Sequence, residues 1–378
     1  MRARALRLAA PPWRGARAFD WALLGAVLTA IAFGMAMIYS ATLRSSVTSA
    51  WDDLVIKQIA FSAAGLLLLA LLAATEYRVL VTFWPWLYAG TVGALGLLLF
   101  VGRVSLGSQR WFSAGLVDVQ PSEFAKLAVI LCLAAYFERY DVRRFRHVVG
   151  SLGLVAVPMA LVLLQPNLST ALLLGAIWVG VVFAAGIRPL HLSFLALLGT
   201  PALLVVLNAG LVQRYMIGRI SAWLDPLADP SGAGFQNIQT LIAVGNGQLT
   251  GTGYATGLQT QGGWLPLIYT DNIFALVAEE LGFVGAVAIL AVLGFIVWRI
   301  LRAASLAQDR AGALIAVGVA TYLLVQTFVN VGVVLQLLPV TGVSLPFVSY
   351  GGSSLAALLA GIGLVQSVLV RRKPLAFR

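Results

Sequence analysis

Apolar runs close to twenty residues long recur along the whole chain, broken by short polar segments. Read at helix length they predict ten spans, at about 21–41, 56–74, 80–101, 122–138, 148–165, 168–186, 190–209, 271–298, 312–336 and 352–370. About 20 apolar residues suffice for a helix to cross the hydrocarbon core of a bilayer. The runs are continuous rather than alternating, which argues against a β-barrel. The first run is not a cleaved signal peptide: it is long, lacks a small-residue cleavage site in a polar setting, and is followed by many runs like it. The expected fold is all-α, a polytopic transmembrane helical bundle forming one integral membrane domain over residues 1–378. Composition agrees, with 60% hydrophobic and 10% charged residues and a mean hydropathy of +0.94, where a soluble domain carries about 25% charged residues.

An even number of spans puts residues 1–20 and 371–378 on the same side. That side collects Arg2, Arg4, Arg7, Arg14, Arg17, Arg78, Arg139, Arg143, Arg144, Arg146, Arg188, Arg299, Arg302, Arg310, Arg371, Arg372, Lys373 and Arg378. The other side keeps Arg44, Lys57, Arg103, Arg110, Arg214 and Arg219. The positive-inside rule then places both termini in the cytoplasm. The net charge of +11 reads as a topology signal and a contact to anionic membrane lipids, and not as a nucleic-acid surface. Three outer segments stand out: 102–121, a long and charge-poor loop at 210–270 before the eighth span, and 337–351. The aromatics and apolar spacing near 235–242 predict a short interfacial helix inside the long loop. There is no Walker loop and no soluble domain, so nucleotide use is not expected. Cys132 is alone in an apolar run, which excludes a disulfide within the chain, and His147 and His191 show no zinc-ligand spacing.

Function should therefore lie on the outer face, where polar residues sit at span ends. Ionisable groups in spans are costly and are functional hypotheses by default. Glu123 and Lys126 share one helix face, either as a neutralised packing pair or as part of a site. Asp271 follows a glycine-rich segment and opens the eighth span, either as a helix cap or as a reactive carboxylate. Glu279 and Glu280 lie two turns deeper, and at least one must face the protein interior; a structural role suits them better than chemistry. Gln326 and Asn330 lie one turn apart in the ninth span, bonding between helices or lining a cavity. Residues 342–354, including Ser349 and Tyr350, break helical structure, and irregular backbone at membrane depth survives only against protein or a water-filled cavity.

The segments R-W-F-S-A-G-L-V-D-V-Q-P-S-E-F-A-K-L (110–127), D-P-L-A-D-P-S-G-A-G-F-Q-N-I-Q-T (225–240), Y-T-D-N-I-F-A-L-V-A-E-E-L-G (269–282) and L-L-P-V-T-G-V-S-L-P-F-V-S-Y-G-G-S-S (337–354) together resemble the shape, elongation, division and sporulation family of RodA- and FtsW-like proteins. They occur in family order across nearly the whole chain. The resemblance implies a peptidoglycan glycosyltransferase that polymerises lipid II, with a class B penicillin-binding protein as transpeptidase partner. It puts the family's essential acid at Asp271 and its acid and lysine positions at Glu123 and Lys126. Two departures matter. Leu267 and Tyr269 stand where the family commonly has Glu and His, and Asn167 stands where it often has Asp.

Chain extension on a lipid diphosphate needs a base for an acceptor hydroxyl and cations near the departing diphosphate. Asp271 is the candidate base. Arg110, Lys126, Arg214 and Arg219 are candidate diphosphate contacts; Glu123, Gln326, Asn330, Ser349 and Tyr350 are further candidate substrate contacts. A divalent cation, Mg²⁺ or Mn²⁺, could supplement them, although no ligand cluster identifies its site. The rival readings are a lipid II flippase or other transporter, and a scaffold that recruits cell-wall enzymes. The short terminal segments favour an elongation-type over a division-type role.

Overall fold

The computed structural model describes residues 18–43, 53–105, 108–114, 117–191, 193–195, 197, 214–265 and 267–372. Its helices are α1 (Trp21–Thr42), α2 (Leu54–Ala74), α3 (Tyr77–Thr82), α4 (Trp84–Val101), α5 (Pro121–Arg139), α6 (Phe145–Leu164), α7 (Leu168–Ala184), α8 (Arg214–Leu224), α9 (Phe235–Gly247), α10 (Leu258–Gln261), α11 (Ile273–Leu306), α12 (Arg310–Val334) and α13 (Gly352–Val370). Short polar residues start several of them. Asp20, Asp53, Asn167 and Asp309 accept backbone N–H bonds at the first turns of α1, α2, α7 and α12, satisfying donors that have no partner inside the helix.

Seven of these helices, α1, α2, α4, α6, α11, α12 and α13, are long and apolar enough to span a membrane. Helix α7 is apolar but shorter. Helix α5 is diluted by its charges and is mostly buried inside the protein. Large apolar side chains such as Phe100, Phe183 and Leu172 face outward, as they do where lipid is the solvent. The chain is a multi-pass membrane protein. The predicted span 190–209 lies largely outside the described residues.

Helices α5 and α13 form the centre. Helix α13 packs along α2, while α12 contacts α5, α7 and α11. Close approach to α2 depends on Gly363, where a Cβ would stand 2.7 Å from the Leu69 carbonyl oxygen; small residues let helix backbones meet this way.

The structure corrects the predicted elements in three places. Residues 102–121 are not a plain loop: β1 (Arg103–Ser105), β2 (Ser108–Ala114) and β3 (Val117–Val119) form a small antiparallel sheet in the order β1-β2-β3. The third span is divided between α3 and α4. The eighth span is not continuous from 271. Helix α11 begins at Ile273 and breaks at Gly282 (φ 68°, ψ −165°). Ile273 to Glu280 are all buried, whereas Phe283 and Val284 just past the break are exposed. The first piece is thus a half-helix enclosed by protein.

The break is filled by the glycine-rich segment. Phe283 and Val284 donate backbone bonds to Gln248 and Leu249, and Thr252 and Gly253 donate to Glu279 and Glu280. A Cβ on Gly282 would lie 2.3 Å from the Gly251 nitrogen, so the dihedral and the contact both require glycine there. The predicted interfacial helix exists as α9, which packs against α11.

Candidate active site

The first turns of α5 and α7 and the C-terminal half of α12 enclose a cavity of about 570 Å³ together with the segments before α11 and α13. It brings together Arg110, Glu123, Lys126, Arg219, Asp271, Gln326 and Tyr350. These residues come from six separate stretches of the chain.

Asp271 lies in the turn before α11. Asn272, not Asp271, occupies the cap position of that helix, and no side chain caps it. Of the two readings left open for Asp271, the capping one is therefore not met. The Thr270 hydroxyl stands 2.9 Å from Asp271 Oδ1, and among the described residues no cation pairs with Asp271 within ion-pair distance. Desolvation by the surrounding protein pushes its carboxyl above the ordinary aspartate range, while the Thr270 hydroxyl, its own backbone N–H and the Arg219 charge pull it down. The carboxylate is thus positioned by Thr270 and, among the described residues, paired with no cation.

Glu123 and Lys126 are packed into the cavity wall. Lys126 Nζ is 2.7 Å from Glu123 Oε1 and sits 4.6 Å from the centre of the Tyr322 ring. The Tyr322 hydroxyl donates to Glu123 Oε2 at 3.3 Å. The two sequence-level readings of this pair thus coincide: it ties α5 to α12, and it lines the site.

Arg110, on β2, donates its guanidinium to the backbone carbonyls of Gln165 and Pro166 in the α6–α7 turn. Arg219, on α8, donates to the Val340 carbonyl at 3.0 Å. Arg214 lies at the start of α8, but its side chain is outside the described residues. Gln326 Nε2 donates to the Ser344 carbonyl at 2.9 Å. That carbonyl can only accept, so the amide is oriented, and its Oε1 is buried with no protein donor. Asn167 caps α7 through its Oδ1 and also lines the cavity, a structural use for a position where the resembled family often has an acid.

Asn330 and Ser349 do not line the cavity, contrary to the sequence-based expectation. Asn330 Nδ2 donates to the backbone carbonyls of Asp271, at 2.8 Å, and Val343, at 2.7 Å. Ser349 Oγ accepts the Leu345 N–H. Both hold irregular backbone at the site, Asn330 directly behind Asp271. Tyr350 donates its N–H to the Tyr269 carbonyl and its ring meets the Tyr269 ring edge-on at 5.8 Å. This clamps the segment before α13 onto the one carrying Asp271.

Glu279 and Glu280 are fully buried and structural. Glu279 accepts the N–H groups of Gln259 and Thr260, each at 2.9 Å. Glu280 accepts the Ser40 hydroxyl at 2.6 Å and the Gln261 amide at 3.1 Å. Together they moor the loop that fills the helix break. Sequence reasoning missed Tyr322, although it continues the stripe of Gln326 and Asn330 one turn earlier. It also missed Gln120, Ser353 and Ser354, which depend on β3 meeting the start of α13: Ser353 Oγ accepts the Gln120 N–H at 3.0 Å and donates to the Asp118 carbonyl at 3.2 Å. Among the described residues no group of three His, Cys, Asp or Glu could by itself hold a metal ion.

Comparison with known proteins agrees with this geometry. The family model of cell cycle proteins that groups FtsW, RodA and SpoVE matches residues 20–374. Stage V sporulation protein E of Bacillus subtilis is 36% identical over 363 residues, 92% of this chain and 96% of its own. The peptidoglycan glycosyltransferase MrdB of Escherichia coli is 38% identical over 342 residues, 90% of this chain and 92% of its own. Among solved structures, a chain of a peptidoglycan synthase complex that coordinates polymerization and crosslinking superposes with a TM-score of 0.79 at 34% identity, covering 93% of this chain and 97% of that one. The rod shape determining protein RodA of Thermus thermophilus gives 0.70 at 32% identity, covering 94% and 98%. With the match running almost from end to end, this chain belongs to the FtsW/RodA/SpoVE family of cell cycle proteins.

Proposed function

We propose that the chain is a peptidoglycan glycosyltransferase that polymerises lipid II by base catalysis at the outer face of the bacterial cytoplasmic membrane, for cell shape or division. The observation that carries the reading is Asp271: a carboxylate on the wall of a polar cavity that neither caps a helix nor sits in an ion pair. In the proposed reaction Asp271 takes the proton of an acceptor sugar hydroxyl. The freed oxygen attacks the anomeric carbon of the donor. The bond from that carbon to the diphosphate breaks, and undecaprenyl diphosphate leaves with the electron pair.

Lys126, Arg110 and Arg219 line the same cavity and supply positive charge where the diphosphate departs. A divalent cation, Mg²⁺ or Mn²⁺, would supplement these side chains at the diphosphate, and among the described residues no ligand cluster identifies its site. Such an ion would neutralise the leaving group. Both termini on the cytoplasmic side, and a single-span class B penicillin-binding protein docked on lipid-facing helices near α11 and α12, complete the proposal. The relatives include a peptidoglycan glycosyltransferase and a peptidoglycan synthase complex that coordinates polymerization and crosslinking, and the charge excess on one side supports the orientation.

The test is purified protein with lipid II in detergent and in liposomes. Glycan polymer formed without any other enzyme supports the reading. Lipid II crossing the bilayer with no polymer formed would favour a flippase.

A further inference from the structure

A second polar cavity, of about 230 Å³, lies at the end of the bundle opposite Asp271, between the start of α1 and the last turns of α11 and α13. Three guanidinium groups reach it, from Arg299, Arg302 and Arg372, against one carboxylate, Asp20. Their roles differ. Arg299 is spoken for: it grips Asp20 with Nε at 2.9 Å and Nη2 at 2.5 Å and lies against the Phe295 and Trp298 rings. Asp20 also accepts the Leu23 N–H, and its backbone is bonded in both directions to the Gln366 amide. This side of the cavity is therefore fixed and charge-neutral.

Arg302 and Arg372 are left over. Among the described residues neither takes part in an ion pair. The neighbouring Arg371 shows what a structural arginine does here, donating to the carbonyls of Ala74 and Ser367; Arg372 instead lines the cavity. The walls between them are apolar, from Ala303, Leu306 and Leu369. Trp21 lines the cavity, and Trp298, packed against Arg299, is also exposed; exposed tryptophan marks headgroup level in membrane proteins.

From this arrangement we infer a binding site for the phosphodiester headgroup of an anionic glycerophospholipid, gripped by Arg302 and Arg372 with its glycerol and first methylenes on the apolar wall. Guanidinium forks suit phosphate oxygens, and basic pockets between helices on the cytoplasmic side are a known form of lipid headgroup site. In sequence, residues 1–17 carry Arg2, Arg4, Arg7, Arg14 and Arg17 and no acid, so their side chains offer no negative charge to pair with these arginines. The inference is independent of the glycosyltransferase reading, because it uses none of the cavity around Asp271.

Native mass spectrometry of the full chain, titrated with phosphatidylglycerol, phosphatidylcholine or inorganic phosphate, tests it. One phosphatidylglycerol should be retained in preference to phosphatidylcholine. The double variant Arg302→Ala/Arg372→Ala should lose about 30-fold in that affinity while melting like the parent in phosphatidylcholine. Arg302→Gln/Arg372→Gln, which keeps polarity and bulk without charge, should lose it as well and guards against a folding defect. Undiminished phosphatidylglycerol retention by both double variants would overturn the site. Equal competition by inorganic phosphate at the same concentration would overturn the lipid assignment in favour of a free anion.

Discussion

Replacing Lys126 by methionine separates packing from chemistry. Lys126 is 1% exposed and Glu123 7%, and their charged atoms are 2.7 Å apart. Methionine fills much of the lysine stem but leaves Glu123, among the described residues, with only the Tyr322 hydroxyl, at 3.3 Å. Breaking a buried pair by removing one partner costs about 3–5 kcal/mol. The cavity gives the stranded carboxylate some access to water, so the lower end, about 3 kcal/mol, is expected. The double variant Glu123→Leu/Lys126→Met removes both charges and fills the space with apolar groups, which is commonly close to neutral. Denaturation in detergent micelles should therefore show the single variant weakened and the double variant within about 1 kcal/mol of the parent. Lipid II polymerisation in the same preparations should be lost in both, because the site has lost its ammonium group. A double variant that polymerises at the parental rate would reduce the pair to packing. A single variant of parental stability would refute the burial argument itself.

Gly282→Ala should destabilise the protein by about 1–3 kcal/mol from its positive φ alone, and more from collision with Gly251; a melting curve at or above the parent's would contradict this. Glu279→Ala strands the Gln259 and Thr260 N–H groups, at about 1–3 kcal/mol for each buried donor left unpaired, and should expose residues 247–262 to limited proteolysis. Asn330→Leu removes both donors behind Asp271 and should lower the turnover rate more than it raises the apparent KM, which initial rates over a lipid II titration would show. With the Asp271 carboxyl held above the ordinary aspartate range, its base form is lost as pH falls through that raised value. The acid limb of the pH–rate profile should then lie at higher pH than an ordinary aspartate would give, and a limb within or below the ordinary aspartate range would contradict the assignment.

Much of this architecture is written in hydropathy. Lipid is an apolar solvent in which the backbone must satisfy itself, so uninterrupted apolar runs announce helices, and α1, α2, α6, α12 and α13 fall within a few residues of their predicted limits. What hydropathy cannot register is a break that depends on another segment. The apolar periodicity runs straight through Gly282, and only docking of residues 248–253 makes the half-helix visible. The sheet at 103–119 escaped because its strands are short and do not alternate. At the site, charged residues were legible because each is costly where it stands. Asn330 and Ser349 were legible as unusual but not as to direction: a polar side chain that supports backbone and one that faces a cavity look alike in sequence. Whether Asp271 caps the helix was equally undecidable, since that turned on a helix starting two residues later.

The most direct test of the account is polymerisation of lipid II by purified Asp271→Asn. No helix cap or ion pair is lost in this variant, so it should fold and melt like the parent and still bind lipid II. A general base contributes about 10²–10⁴-fold, and glycan polymer should fall by that factor, to near or below detection. Polymer formed within a few-fold of the parental rate would contradict the role of Asp271 and turn attention to Glu123, the other carboxylate on the cavity wall.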